Sequence, residues 1–321
     1  MASGERGPDL SVVLITPDSM KSVRRTVAHL EAQTARDRME IVVVGLKGFA
    51  SAPADTAPEN LRVVEVEAPL DPPAARVAGI RAASAPVVAL AEDHAFPDAE
   101  WAEALISSYV RPWAAVGPVV YNANPVNGVS WADLVIGYGP WLEPTAGGPV
   151  DHLPGHNSSY RRDLLLGYGD ERLAERLAAE SVLHWEMRAD GHRLLLQPAA
   201  RLAHTNFAMY TPWIAALYHS GRLFGAERAG GWRLGKRLFF GGGSPLIPAV
   251  RLWRLRGAIT RARASGAPRH LLALVAFGLA VDGLGQAAGY LFGEGGSRQK
   301  LPELEFHRER YARLDRLPVA P

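Results

Sequence analysis

The chain of 321 residues contains no cysteine, which excludes a disulfide framework and a thiolate metal site. Its first ten residues, MASGERGPDL, lack the apolar core of a secretory signal, so we expect a cytoplasmic protein. Several catalytic signatures are also missing: a Gly-rich dinucleotide fingerprint after the first strand, a P-loop, an HExxH helix and a GxSxG elbow. The chemistry of those motifs therefore has no support in this sequence.

Acidic residues are scarce in the last third of the chain, whereas basic residues are not. Residues 1–200 carry 17 Lys and Arg against 26 Asp and Glu, while residues 201–321 carry 18 against 7. Between Arg222 and Arg269 there are eleven basic residues and one acidic residue, Glu227. Halves of opposite charge indicate two different roles.

The first two thirds of the chain alternate short apolar runs with amphipathic segments. The apolar runs predict buried strands at 10–15, 40–44, 61–66, 86–91, 114–121 and 193–197. The spacing predicts helices at 20–33, 73–83 and 173–189, and the Gly-, Pro- and Asn-rich segment 122–153 predicts a long loop. This order predicts an α/β doubly wound sheet, in which ligands bind beyond the carboxyl ends of the strands.

Five segments in chain order carry a family pattern. They are SVVLITPDSMKSVRRTVAHLEAQT at 11–34, EIVVVG at 40–45, AARVAGIRAASAPVVALAEDHAFPDAEW at 74–101, PGHNSSYRRDLLLGYGD at 154–170 and ESVLHWEMRADGHRLLLQPAARLAH at 180–204. Together they resemble family-2 glycosyltransferases. The resemblance implies a GT-A fold over residues 1–209, a UDP- or GDP-type sugar donor, a Mn²⁺ or Mg²⁺ cofactor and inversion at the anomeric carbon.

The segment Glu92-Asp93-His94 follows the strand predicted at 86–91, where the family has an acidic motif that holds the metal and the diphosphate. The resemblance implies Glu92 and Asp93 as nucleotide-sugar ligands and Asp93, His94 and His204 as metal ligands. A cation there would offset the charge that grows on the leaving diphosphate. His94 departs from the family pattern, because an acid is usual at that position, and an imidazole favours Mn²⁺ over Mg²⁺.

The resemblance also implies that Thr16, Asp18 and Arg76 contact the nucleotide. An arginine on the helix before strand 86–91 suits a phosphate, because its guanidinium donates two parallel hydrogen bonds. Gly45 is a second departure, since the family usually places there an aspartate that reads the nucleobase. The identity of the base therefore stays open.

Glu180 falls where the family has its catalytic base, and Ala179 takes the place of a neighbouring acid. An inverting transfer needs one carboxylate to accept the proton of the attacking hydroxyl, so a single acid suffices. The polar turn with His156 and Asn157 is implied to line the acceptor side.

Residues 210–321 are predicted to form a basic helical region, with helices at 210–225 and 246–264 and an apolar stretch at 269–293. Apolar and basic residues alternate through 246–256, which is typical of helices that lie on anionic membrane surfaces. The region therefore predicts peripheral attachment to the inner face of a membrane. A helical cap packed on the first domain is the alternative, and no recognised motif supports nucleic-acid binding.

The sequence as a whole predicts a metal-assisted inverting glycosyltransferase that acts on a glycan or lipid-linked acceptor. Two alternatives remain open. Gly45, His94 and Ala179 are also compatible with a non-catalytic nucleotide-binding or scaffold protein on the same fold. A nucleotidyltransferase would normally show a Gly-rich basic loop after its first strand, and Thr16-Pro17-Asp18 is not such a loop.

Overall fold

The structure, a computed structural model, describes residues 7–49, 58–178 and 180–314. The chain divides into two compact units, residues 1–120 with 145–203, and residues 121–144 with 204–321. The division cuts the last residues from two strands, Ala115–Asn122 and Leu194–His204, and both strands belong to the sheet of the first unit. Residues 121–144 thus group with the basic C-terminal helices, although they precede the boundary predicted at residue 209.

A sheet of nine described strands forms the centre of the first unit. The strands are β1 Leu10–Ile15, β2 Met39–Leu46, β3 Leu61–Val66, β4 Val87–Ala91, β5 Ala95–Pro97, β6 Ala115–Asn122, β7 Gly148–Val150, β8 Ser159–Arg161 and β9 Leu194–His204. Their order is β3-β2-β1-β4-β8-β6-β9-β5, with β7 paired to β9. Strands β3, β2, β1 and β4 run parallel, while β8 is antiparallel to both β4 and β6. The predicted mixed α/β fold class is therefore confirmed.

Helices cover this sheet: α1 Met20–Glu31, α2 Pro72–Ala82, α3 Trp101–Ser108, α5 Arg162–Gly167, α6 Asp170–Leu177 and α7 Glu180–Ala189. Helix α1 buries Val23, Val27 and Leu30, the face that its spacing predicts. Helix α2 packs closely on the sheet, because a Cβ on Gly79 would lie 2.4 Å from a methyl carbon of Val13. All six residues of β1 are buried, as expected for a central parallel strand.

The second unit is helical. It contains α4 Gly128–Tyr138, α8 Tyr210–Arg228, α9 Leu234–Gly243, α10 Ile247–Ala264, α11 Leu271–Phe292 and α12 Ser297–Phe306. The backbones of helices α8 and α11 are in direct contact. A Cβ on Gly225 would lie 2.4 Å from the Gln286 carbonyl oxygen, and a Cβ on Gly285 would lie 2.2 Å from the Tyr218 carbonyl oxygen. Glycine is required at these crossings because any side chain would separate the helices.

Helix α11 is long and apolar enough to cross a bilayer. One side of it is nevertheless part of the core of the unit, where Asp282 and Gln286 are buried. The Arg251 guanidinium donates to the Asp282 carboxylate at 2.5 Å, and the Gln286 amide donates to it at 2.8 Å. These contacts make α11 the central helix of a folded unit.

Three predicted elements were wrong. The segment 122–153 is not a long loop, because it contains α4, whose first turn is capped by the Asn127 side chain accepting from the Ser130 N–H, and strand β7. In place of the one helix predicted at 173–189 the structure has two, α6, which ends at Leu177, and α7, which begins at Glu180. Strand β9 continues through Pro198 to His204, because this stretch stays paired within the sheet.

Candidate active site

The predicted site residues of the first unit gather where the parallel strands end. Thr16 follows β1 and is fully buried, with its N–H bonded to the Val44 carbonyl of β2 at 2.9 Å. Its hydroxyl accepts from the Asp18 N–H at 3.3 Å and lies 2.7 Å from the Ser22 hydroxyl, so it folds the loop back onto α1. Asp18 is exposed at the mouth of this loop. Strand β4 ends nearby in sheet order, two strands from β2.

A group able to hold a metal ion forms at the ends of two strands of the same sheet. Glu92 and His94 follow β4, and His204 is the last residue of β9. Each offers one ligand atom, and these atoms lie within 4.8 Å of one another. Both histidines are buried and Glu92 is partly buried. The predicted Mn²⁺ or Mg²⁺ cofactor thus has a group able to hold it, while the ligand roles of His94 and His204 stay predictions.

The two imidazoles of this group are oriented by oxygen partners. His94 Nδ1 lies 2.7 Å from an Asp93 carboxylate oxygen, and His204 Nδ1 lies 2.9 Å from the Asn206 amide oxygen. A proton on each Nδ1 leaves the lone pair on Nε2, which is the arrangement of metal-binding histidines. One carboxylate and two imidazoles suit Mn²⁺. The residues present therefore fit the implied cation.

Asp93 was predicted as a ligand of both metal and sugar nucleotide, and its carboxylate is instead engaged with His94. Its backbone carbonyl accepts from the Thr26 hydroxyl at 2.8 Å, which fixes the loop after β4 to helix α1. In this arrangement Asp93 orients the neighbouring His94 imidazole, and Glu92 supplies the carboxylate of the metal group. Direct metal contact by Asp93 stays a prediction.

Glu180, the predicted base, begins helix α7 with a side chain that is only 12% exposed. One carboxylate oxygen lies 2.5 Å from His156 Nδ1 and 3.4 Å from an Arg76 guanidinium nitrogen. Arg76 is 14% exposed and also reaches the Leu177 carbonyl at 3.4 Å. Arg76 therefore faces the carboxylate here, and its predicted contact with the nucleotide stays a prediction. Residue 179 lies outside the described residues.

Burial alone would raise the pKa of Glu180, but the charge of His156, its contact with the carboxylate and the nearby Arg76 together lower it below its ordinary value. For His156, burial acts to lower the pKa, and the negative charge of Glu180 outweighs it and raises the pKa. The two groups therefore stabilise each other as an ion pair. The carboxylate is ionised and able to accept a proton at neutral pH.

One short 3-10 turn, Gly155–Asn157, contacts both the Glu180 carboxylate and the metal group. His156 contacts Glu180, while the Asn157 side-chain amide donates to a Glu92 carboxylate oxygen at 2.6 Å. The turn approaches α7 very closely, because a Cβ on Gly155 would lie 2.3 Å from the Cβ of Glu180. Of the two residues predicted for the acceptor side, His156 thus contacts the predicted base Glu180, and Asn157 contacts Glu92, which was predicted to bind the nucleotide sugar.

The support beneath this turn was not predicted. His184, one turn after Glu180 on α7, is fully buried, and its Nε2 lies 3.0 Å from the Tyr160 hydroxyl. That hydroxyl donates to the Gly155 carbonyl at 3.3 Å, and the Leu153 N–H lies 3.4 Å from His184 Nδ1. Burial lowers the pKa of His184 to about 4, so the imidazole is neutral. The spacing of four residues from Glu180 was the only signal in the sequence.

The departure at Gly45 has a packing cause. A Cβ at this position would lie 2.6 Å from the ring of Phe49, which is itself buried. An aspartate could not stand there without displacing that ring. Phe49 therefore occupies the space that an aspartate side chain at position 45 would need.

Comparison with known proteins agrees with this architecture. Residues 11–169, just under half of the chain, match the model of glycosyl transferase family 2. No curated protein matches the chain.

Two solved structures are similar to it. GalNAc-T7 with UDP, GalNAc and Mn²⁺ is 15% identical, with a TM-score of 0.48, over 62% of this chain and 44% of that one. The mannosyltransferase PcManGT from Pyrobaculum calidifontis, in complex with GDP-Man and Mn²⁺, is 18% identical, with a TM-score of 0.45, over 92% of this chain and 88% of that one. The chain spans less than half the length of GalNAc-T7. The match thus identifies residues 11–169 of this chain as a region of glycosyl transferase family 2.

Proposed function

We propose that this protein is an inverting glycosyltransferase that moves a hexosyl group from a nucleotide-diphosphate sugar, of UDP or GDP type, to a hydroxyl of a glycan or lipid-linked acceptor. The observation that carries the proposal is the Glu180 carboxylate. It is buried, ionised and held at 2.5 Å from His156 on a turn that also contacts the metal group. The family match over residues 11–169 supports the class of reaction.

In the proposed step the acceptor oxygen attacks the anomeric carbon as the bond from that carbon to the diphosphate oxygen breaks. The hydroxyl proton passes to a carboxylate oxygen of Glu180, and a single displacement inverts the configuration. Arg76 and His156 keep the carboxylate charged before attack. Movement of His156 away from Glu180 would free the oxygen and raise its basicity, because the stabilising positive charge would be removed.

Glu92, His94 and His204 would hold the cation. When bound, Mn²⁺ or Mg²⁺ supplies positive charge to the departing diphosphate. The protein's own contribution is orientation, since Asp93 and Asn206 fix the two imidazoles and Asn157 fixes the Glu92 carboxylate. Thr16 and Asp18, at the end of β1, are assigned to the nucleotide because phosphate and ribose groups bind beyond the carboxyl ends of parallel strands.

The proposal is tested with purified full-length protein, Mn²⁺ and a panel of UDP-, GDP- and dTDP-sugars, by measuring release of nucleoside diphosphate. Release with one donor, which increases when a glycan or lipid-linked acceptor is added, is the expected result. Product NMR then reads the anomeric configuration, and retention would refute the inverting mechanism. Binding of nucleotide without turnover on any donor would instead favour a non-catalytic binding protein.

A further inference from the structure

The basic cluster between Arg222 and Arg269 divides into two classes in the structure. Five of its eleven basic residues donate to other elements of the second unit: Arg222, Arg228, Arg237, Arg251 and Arg261 donate to Gly293, Tyr290, Tyr290, Asp282 and Gly139 respectively. These arginines stabilise helix packing. The other six are exposed: Arg233, Lys236, Arg254, Arg256, Arg263 and Arg269.

None of these six exposed cations pairs with a carboxylate in the part of the chain that the structure describes. Three of the six contact aromatic rings or nearby backbone carbonyls, and Arg256 and Arg263 each donate to such a carbonyl at 2.9 Å. The Lys236 ammonium lies 4.0 Å from the centroid of the Trp232 ring, and the Arg256 guanidinium lies 4.5 Å from that of Trp253. Internal structure therefore explains five of the cations and leaves six facing outward.

Large apolar side chains lie exposed among these cations on α9, α10 and the turn between them. Phe239 is 75% exposed, Leu246 69% and Trp253 65%, and Leu234, Leu238 and Val250 are also exposed. Leu246, which directly precedes α10, and Val250 and Trp253 on that helix follow one another at helical spacing, so they form a single stripe at its start. We call these six apolar residues, with Arg233, Lys236, Arg254 and Arg256, the basic helical surface.

The stripe continues towards α11. A Cβ on Gly283 would lie 3.3 Å from Pro248, so the start of α10 rests against α11 at this point. Leu284, the next residue, is 67% exposed, and Phe277 is exposed two turns earlier. Isolated apolar residues on a surface need no explanation, but a run of them interleaved with cations does.

We propose that the basic helical surface docks the protein on an anionic lipid surface, with α9 and α10 lying in the plane of the membrane interface. Large apolar side chains enter the headgroup boundary and the exposed cations meet lipid phosphates, which is how interfacial helices bind. Each cation near such a surface strengthens binding roughly fivefold. Buried Asp282, paired to Arg251, keeps α11 inside the unit, so docking does not require any helix to cross the bilayer.

The experiment is vesicle flotation of the full chain with phosphatidylcholine vesicles, with and without phosphatidylglycerol. We expect the protein to float with the anionic vesicles only, and to be released as salt is raised. The test variant is Trp253→Ser/Arg254→Glu, which should bind at least tenfold more weakly by roughly these per-charge factors.

The chain offers a matched control in the first unit. Val110, 90% exposed, precedes exposed Arg111, so Val110→Ser/Arg111→Glu makes the same two changes outside the basic helical surface. This control should float like the unchanged protein. Equal loss in both double variants, no flotation of the unchanged protein, or equal binding to neutral vesicles would overturn the proposal.

Two other occupants give different results. If the surface instead pairs two copies of the chain, sedimentation will show a dimer that Trp253→Ser/Arg254→Glu dissociates, without flotation. If it binds nucleic acid, a fluorescent oligonucleotide will be retained while vesicles are not. Either outcome overturns lipid docking. None of these assays uses a sugar donor, so their failure would leave the proposed transfer reaction untouched.

Discussion

In the first unit the charged groups of the candidate site are buried or partly buried and face one another. In the second unit, six of the eleven basic residues between Arg222 and Arg269 face solvent. Glu180 is 12% exposed and lies between His156 and Arg76. Arg254 and Arg256 are exposed, and neither pairs with a carboxylate in the described part of the chain. Burial makes a charge depend strongly on its neighbours, while exposure leaves it available to a partner. The first arrangement suits chemistry and the second suits adhesion.

The largest effect is expected from removing the buried carboxylate. Glu180→Gln keeps the shape of the side chain but cannot accept the acceptor proton, so turnover should fall about 10³-fold while donor affinity changes little. Single-turnover transfer and calorimetry with nucleoside diphosphate measure the two quantities. Glu175→Gln, at an exposed carboxylate on α6, is the control. Retained turnover in Glu180→Gln would remove this residue as the base.

The close approach of Gly155 to Glu180 gives a second test of the buried arrangement. Gly155→Ala would place a methyl group 2.3 Å from the Glu180 Cβ, so the carboxylate or the turn must shift. A displacement of this size at a reacting group should lower kcat by about 10²-fold. Gly167→Ala is the matched control, since no atom lies within 4 Å of a Cβ there. Equal activity in both variants would show that the contact is unimportant.

The strands of the first unit could be predicted because their apolar runs are uninterrupted, as in β1 with its six buried residues. Helix α4 could not, because its sequence GVSWADLVIGY begins with glycine and its stability comes from the Asn127 cap and from burial in the second unit. The resemblance to the family located Glu180 as the predicted base. Its contact with His156, 24 residues away in sequence, depends on how β8 and α7 are placed in three dimensions.

A third test concerns the metal group. Glu92→Gln replaces a charged oxygen ligand by a neutral one and should weaken Mn²⁺ binding about 10- to 100-fold. Calorimetric titration with Mn²⁺ alone measures the change without any substrate. Glu100→Gln, at the exposed start of α3, should bind Mn²⁺ like the unchanged protein. Unchanged affinity in Glu92→Gln would exclude Glu92 as a ligand.

The second unit also contains charge pairs of the kind found in the first, Asp133 with Arg308 and Arg251 with Asp282. Arg251→Met leaves the buried carboxylate with Gln286 alone and should lower the free energy of unfolding by about 2 kcal/mol, since the arginine is partly exposed. Urea titration measures it. Arg254→Met, one turn along α10 at an exposed cation, should change the free energy by less than about 0.5 kcal/mol. Similar losses in both variants would contradict the division into structural and exposed arginines.

The smallest effect is expected from His156, whose side chain is 41% exposed. The pKa of Glu180 is lowered, so its contribution to stability is present above its ordinary value of 4.5 and is lost as pH falls through the lowered value. The pKa of His156 is raised, so its contribution is complete below 6.5 and is lost as pH rises through the raised value. The ion pair therefore stabilises most between these two ordinary values.

His156→Gln should accordingly lower Tm by about 2–4 °C within that window, for a contribution of about 1 kcal/mol, discounted because the imidazole is partly solvated. The difference from the unchanged protein should shrink as pH rises further. His192→Gln, which removes a histidine just after α7 and outside this ion pair, is the matched control. A difference in His156→Gln that is constant with pH would mean that the imidazole contributes packing rather than charge, and the ionised state of Glu180 would then depend on Arg76 alone.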